Sequence, residues 1–174
     1  MRIAIIGYSG SGKSTLARKL GELYNLPVLH FDKVQFRPNW EIRPQQSKEV
    51  MTKAFLDLHD SWVIDGNYSK LYFERRMAEA DVIIQLRFNR LSCLSRVTRR
   101  YRKYKDSTRT DMADGCKEKL DWEFVKWVLR DGRSKEVRER YNGVIARYPE
   151  KTIVIKNQRQ LNGVQKRIEE LRRK

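Results

Sequence analysis

The chain opens on a short apolar run, RIAII, and turns at once into GYSGSGKST at residues 7–15. Gly7, Gly10 and Gly12 crowd together there. Glycine loses more conformational freedom on folding than any other residue, so the cluster is costly to order. Such a cost is sustained where the backbone must curl and point successive N–H groups inward as an anion nest. A helix beginning at Ser14 would aim the positive end of its dipole at the same point. This short stretch therefore demands a buried strand, a glycine loop and a helix, in that order.

The rest of the chain repeats the alternation. Short, mostly β-branched apolar runs predict strands over residues 3–6, 27–31, 62–65, 82–86 and 152–155. Their continuous apolar character predicts a parallel sheet covered on both faces. Helical spacing separates them, over residues 14–24, 45–59, 71–80, 91–101, 120–129, 135–148 and 160–173. Candidate inner faces are Leu16, Leu20 and Leu23 in the first helix and Val50, Ala54, Phe55 and Leu58 in the second. There is no internal repeat and no Gly/Ser linker, so one α/β domain over residues 1–174 is expected, with a five-stranded parallel core. The stretch from Arg87 to Lys151 is longer than a crossover needs. It holds Arg87, Arg90, Arg96, Arg99, Arg100, Arg102, Lys103, Lys105 and Arg109, offset only by Asp106. Residues 90–133 read as an inserted, arginine-rich helical lid.

Composition removes several classes. With 40% hydrophobic residues a real core is available, which excludes a disordered chain. No apolar run is long enough to cross a membrane, and the N-terminal one is too short for a signal peptide. Cys93, Cys116, His30 and His59 form no metal-ligand spacing, so zinc is not expected. Both cysteines are read as reduced and the location as cytoplasmic. The histidines read as packing or surface residues and Cys93 as structural; Cys116 has no assigned role. The 38 Lys and Arg against 22 Asp and Glu give +16, which suits nucleotides, nucleic acid or acidic lipid, or a solvated basic surface.

Residues 7–14 fit G-x-x-x-x-G-K-[ST], the Walker A phosphate loop, in its proper strand-to-helix context. Gly7, Ser9, Gly10, Ser11 and Gly12 would cradle a triphosphate, and Lys13 would reach its β- and γ-phosphates. Ser14 would ligate Mg²⁺, and Thr15 would support the first helical turn or touch the α-phosphate. Asp32 and Asp65 end the second and third predicted strands, where ligands of parallel sheets bind. Asp65 is the metal-side candidate and Asp32 the acceptor-side candidate, as base or orienting group; either is also an ordinary cap position. Trp40 with Arg37 and Arg43 suits an anionic or ring-bearing acceptor, or Trp40 packs in the core. Asn67 and Tyr68 are candidates for the same pocket. Arg96 and Arg100, four apart, share a helix face and suit a closing lid, or equally a solvated or nucleic-acid-binding helix.

Together these residues resemble the adenylate-kinase-like branch of P-loop kinases. They resemble more closely the bacterial DNA topology modulation protein family, in the run IIGYSGSGKSTLA, LHFD, PNW, WVIDGNYS, ADVIIQL, DMADGC and a tryptophan-bearing helix. The resemblance implies sheet order 2-3-1-4-5, a helical lid, ATP as donor and Mg²⁺. It also implies Arg96 against the adenine, Arg100 on phosphate, Arg140 at the lid hinge, and Arg133 or Arg130 as a further lid arginine. Asp65-Gly66 matches the adenylate-kinase Asp-Gly, but Asn67-Tyr68-Ser69 replaces the Phe-Pro-Arg whose arginine grips AMP. ATP as donor is thus implied, and AMP as acceptor is not.

Two readings follow. One is a kinase passing the γ-phosphoryl of ATP to an unidentified small acceptor, nucleotide-like or other. The other is a nucleotide-switched regulator of DNA topology that binds nucleic acid through the basic lid. Arginines converging on the phosphate loop favour the first, and an outward basic stripe favours the second.

Overall fold

A computed structural model describes residues 1–105, 107 and 109–173, so Asp106 lies outside the described residues. Five parallel strands form one sheet in the order β2-β3-β1-β4-β5. They are β1 (Arg2–Gly7), β2 (Val28–His30), β3 (Trp62–Asp65), β4 (Val82–Leu86) and β5 (Thr152–Ile155). The helices are α1 (Lys13–Tyr24), α2 (Phe31–Gln35), α3 (Gln45–Leu58), α4 (Phe73–Glu79), α5 (Arg90–Tyr104), α6 (Trp122–Leu129), α7 (Lys135–Arg147), α8 (Gln158–Asn162) and α9 (Val164–Arg172). Parallel neighbours cannot be joined by a hairpin, so helical crossovers connect them. The expected fold class and strand order are those observed.

The three central strands are buried almost throughout, as their unbroken Ile/Val runs predict. The edges differ. β5 buries only Ile153 and Ile155, and β2 is half-buried along its length. An edge strand lacks one neighbour, so its cover is incomplete. β1 is the switch point, with β3 on one side and β4 on the other. The register sets Ile5 beside Asp65, His30 beside Asp65 and Gly7 beside Leu86. The ends of β1, β2 and β3 therefore meet at one edge, where open parallel sheets bind ligands.

Four local expectations fail. Leu23 of α1, expected to face inward with Leu16 and Leu20, is 50% exposed. The second strand stops at His30, and Phe31 opens α2 with its ring in the core. In α3 the inward residues are Lys48, Thr52 and Leu56, while Val50 and Leu58 are 61% and 78% exposed. The polar groups can face inward because each is satisfied: Lys48 Nζ donates to Gln35 Oε1 (3.0 Å) and Thr52 Oγ1 to the Lys48 carbonyl (2.8 Å). The C-terminal helical pattern breaks at Gly163 into α8 and α9, in keeping with the poor helix propensity of glycine.

Within residues 90–133, α5 is capped by Asn89 and α6 by Asp121. α6 packs on α5, and a 3₁₀ turn at Asp131–Arg133 leads into α7. Val97 of α5 lies so close to the loop after β1 that a Cβ on Gly10 would sit 2.5 Å from its Cγ2. The segment is thus set directly against the glycine loop.

Candidate active site

Gly10 and Gly12 adopt φ of +75° and +97°, the left-handed region open to glycine at little cost. The loop curls between β1 and α1, and Lys13 folds back over it. Lys13 Nζ donates to the carbonyls of Gly7 (3.1 Å) and Tyr8 (3.2 Å). Burial pushes the Lys13 ammonium below its ordinary pKa, while the carboxylates of Asp32 and then Asp65 pull it back. Asn67 pins the loop from behind: the Gly7 N–H donates to its Oδ1 (3.0 Å) and its Nδ2 donates to the Gly7 carbonyl (2.5 Å).

Asp32 stands in the first turn of α2. Its Oδ1 accepts from the Tyr68 hydroxyl at 2.8 Å. Burial, then the charge of Asp32, drives the Tyr68 phenol far above its ordinary range, so it remains a donor. Asp65 is held elsewhere, its Oδ1 lying 2.9 Å from His30 Nδ1. His30 thereby has a defined partner, which an isolated histidine in HFD did not reveal.

Behind Tyr68 lies Arg76, a fully buried arginine. Its guanidinium donates to the carbonyls of Leu71 (2.9 Å), Gly66 (3.3 Å) and Tyr68 (2.8 Å). It also faces the Phe31 ring at 4.3 Å. Burial pushes its pKa down to about 9. Nothing in the local pattern marks Arg76, because its partners are backbone groups brought close by the turn after β3.

The segment around Trp40 is anchored to the one that follows α5. The Trp40 backbone N–H donates to Cys116 Sγ (3.3 Å), and its indole N–H donates to the Lys117 carbonyl (3.0 Å). Cys116 Sγ in turn reaches the Arg37 carbonyl at 3.4 Å, which gives this cysteine a structural place. The Phe36 and Trp40 rings meet edge-on at 5.0 Å. Arg37 pairs with Glu41 (3.0 Å), and Arg43 donates to the Val34 carbonyl (3.1 Å).

Two of the α5 arginines, Arg96 and Arg100, turn inward, whereas Arg90, Arg99 and Arg102 are exposed. Arg96 donates to the Ser11 carbonyl (2.7 Å) and to Gln158 Oε1 (2.5 Å), and its guanidinium lies 4.0 Å from the Phe88 ring centre. Arg100 donates to Glu118 Oε2 at 3.0 Å, and burial lowers its pKa. Arg109 forms an ion pair with the other oxygen of Glu118 and donates to Asp111 Oδ2 at 2.8 Å. Arg133 lies 3.9 Å from the Tyr8 ring centre, and the Trp127 indole N–H donates to Ser9 Oγ (3.1 Å). Arg140 sits on α7 and pairs with Glu136 (3.0 Å).

One cavity of about 1150 Å³ brings most of these groups together. Ser9, Gly10, Gly12, Lys13, Ser14 and Thr15 line one wall; Asp32, Tyr68, Phe36 and Trp40 line another. Arg96, Arg99, Arg100 and Arg109 also line it, as do Trp127 and residues of α8 and α9 such as Gln158 and Leu161. Asp65, Asn67, Arg37, Arg43 and Arg140 are not among the lining residues, and neither are Gly7 and Ser11. The α8 residues escaped the sequence reading because only the fold carries that end of the chain to the loop. Such a cavity can hold an extended anion at the glycine loop and present a hydroxyl to a carboxylate.

No protein-family model matches the chain, and no curated protein matches it. Solved structures do. Deoxyadenosine kinase from M. mycoides, with dCMP and a flexible dCDP bound as products, superposes with a TM-score of 0.56 at 14% identity, covering 98% of this chain and 100% of that one. The same enzyme with bound dATP gives 0.54 at 15% identity, over 97% and 100%. An uncharacterized protein from Eubacterium ventriosum gives 0.55 at 17% identity, over 100% and 99%. The chain has the P-loop kinase fold. Among the described residues, no helix is long and apolar enough to cross a membrane.

Proposed function

We propose that the chain is a kinase that passes the γ-phosphoryl group of ATP to a hydroxyl of a small, uncharged acceptor with a planar ring, of the nucleoside class. The observation that carries the reading is the sharing of one cavity by Lys13 of the phosphate loop and the Asp32–Tyr68 pair. Asp32 and the aromatic Phe36 and Trp40 suit a neutral acceptor presenting a hydroxyl and a ring. Arg37 and Arg43, engaged by Glu41 and by a backbone carbonyl, offer less to an acceptor phosphate. The fold shared with a deoxyadenosine kinase supports the same class.

In this reading Asp32 takes the acceptor's hydroxyl proton as its oxygen bonds to the γ-phosphorus. The bond from that phosphorus to the β–γ bridging oxygen breaks, and ADP leaves. Tyr68 orients the carboxylate through Oδ1. Lys13 meets the charge on the transferred group, and Arg96 lies over the donor side. Asn67 acts by holding Gly7, and Arg76 by holding the turn that carries Tyr68; both are positioning residues. Residues 90–133 act as the lid of a single domain.

The donor set suits Mg²⁺, a hard ion that takes one or two carboxylates and keeps several waters. Ser14 and Asp32 both offer oxygens at the cavity wall, whereas Asp65 is engaged by His30. Bound there with the triphosphate, the ion would neutralise its β- and γ-oxygens.

The sequence resemblance to the DNA topology modulation family is compatible with this chemistry and adds no second active site. The inward course of Arg96 and Arg100 supports the enzyme over the nucleic-acid switch. An ADP-release assay against nucleosides, nucleotides and sugars, with duplex DNA included, tests the reading. ADP release that depends on a nucleoside is expected; release stimulated by DNA alone would overturn it. Lys13→Ala should abolish ATP binding in calorimetry while leaving the fold intact, and unchanged affinity would remove the donor assignment.

A further inference from the structure

Arg100 and Arg109 converge on a single carboxylate. Arg100 Nε donates to Glu118 Oε2 at 3.0 Å, and the Arg109 guanidinium forms an ion pair with Oε1. The Glu118 side chain is only 4% exposed, yet the residue lies against the cavity. Asp111 adds a second carboxylate on Arg109 at 2.8 Å. Two guanidinium groups on one oxyanion is the arrangement by which arginines hold a phosphate. Here the chain supplies the anion itself, and two carboxylates balance two cations.

This cluster stands on the acceptor side. Cys116 and Lys117, immediately before Glu118, bond the backbone and the indole of Trp40. Lys119, immediately after it, has its ammonium 5.5 Å from the Trp40 ring centre. A phosphate on the acceptor would therefore meet arginines already neutralised, in a cavity that the Asp32 carboxylate also lines.

We propose that Glu118 is a specificity-determining residue. As a built-in counter-anion it lets the pocket admit an uncharged hydroxyl compound and turns away the same compound carrying a phosphate. The inference rests on the kinase reading above, but its test needs no turnover. With the phosphate loop saturated by ADP, calorimetry would compare four common nucleosides with their 5′-monophosphates, and inorganic phosphate as a ring-independent probe.

Glu118→Gln should raise monophosphate and phosphate affinity about tenfold, the scale of one strong charge-assisted contact. Nucleoside and ADP affinity should change by less than about threefold. Arg109→Gln in the same chain should remove the gain. Unchanged monophosphate and phosphate binding in a folded Glu118→Gln protein would overturn the proposal. So would an equal gain for ADP, which would make Glu118 a competitor of the donor. Should that variant not fold, Glu118→Asp keeps the charge but is too short to span both arginines. A smaller monophosphate gain, about threefold, is then expected, and no gain refutes the idea. Loss of transfer to every acceptor would instead strike the kinase reading and leave these affinities to be judged as they stand.

Discussion

Replacing Arg76 by methionine tests the turn that carries Tyr68. The guanidinium is fully buried and donates to three carbonyls, of Leu71, Gly66 and Tyr68, at 2.9, 3.3 and 2.8 Å. Hydrogen bonds involving a charged group contribute about 1.5–3 kcal/mol each, and an orphaned buried acceptor costs about 1–3 kcal/mol. The 3.3 Å contact is the weakest, so two bonds set the scale, with a loss of about 3–6 kcal/mol. Contact with the Phe31 ring adds about 1–2 kcal/mol. Against this, burying a cation without an opposite charge costs several kcal/mol, the same penalty that pushes its pKa down to about 9. Methionine relieves that penalty and fills much of the volume. The net loss expected in urea unfolding is about 2–3 kcal/mol. The kinetic consequence is more specific. Tyr68 should lose its hold on Asp32, so acceptor KM should rise roughly tenfold while ATP affinity stays within about threefold. A variant as stable as the parent, with unchanged acceptor KM, would refute the assignment of Arg76 as the support of this turn.

Other expectations concern the chemistry directly. Asp32→Asn should lower transfer by about 10²- to 10⁴-fold with little change in ATP binding, and equal loss of both in turnover and calorimetry would count against an acceptor-side base. Trp127→Phe removes the donor to Ser9 Oγ, and ATP affinity should fall by about 0.5–1.5 kcal/mol, roughly two- to tenfold, by calorimetry. Burial holds the Lys13 pKa below 10.5. Since a neutral amine no longer attracts phosphate, ATP affinity should decline as pH rises through that lowered value. Lys13→Arg should move the decline upward, and an identical pH profile in the variant would exclude Lys13 as its source.

The phosphate loop could be read from the sequence because its demands are local: glycines where φ turns positive, a strand before and a helix after. The central strands were legible for a similar reason, since burial on both faces leaves unbroken apolar runs. The acceptor wall was only partly legible. Asp32, Trp40 and Tyr68 line the cavity as their positions suggested, but Arg37 and Arg43 next to them turn to other partners. Whether an arginine faces a pocket depends on which carboxylate or carbonyl it meets first, and the local pattern does not single out that partner even when, like Glu41 or Val34, it is near in the chain. Arg76 and the Glu118 cluster show the same limit. α3 shows it for apolar residues: Val50 and Leu58 keep helical spacing yet face outward, because Lys48 and Thr52 find polar partners within.

The basic excess is the feature most open to misreading. A charge of +16 suggests a polyanion as partner. Yet three arginines of α5 and its following segment are engaged individually, Arg96 by Ser11 and Gln158, Arg100 and Arg109 by Glu118, while Arg90, Arg99 and Arg102 stay exposed. A cation held in fixed geometry against a cavity is a positioned electrostatic group, whereas one in solvent contributes mainly to long-range attraction screened by salt. The two uses make opposite demands on salt. If the lid arginines act on bound nucleotide, ATP affinity should depend on salt far less than the binding of a duplex would, because desolvated pairs are screened less than exposed ones. Titrating ATP and duplex DNA between about 50 and 200 mM salt separates them. A steep slope for ATP, parallel to that for DNA, would mean that the inward arginines do not hold the triphosphate.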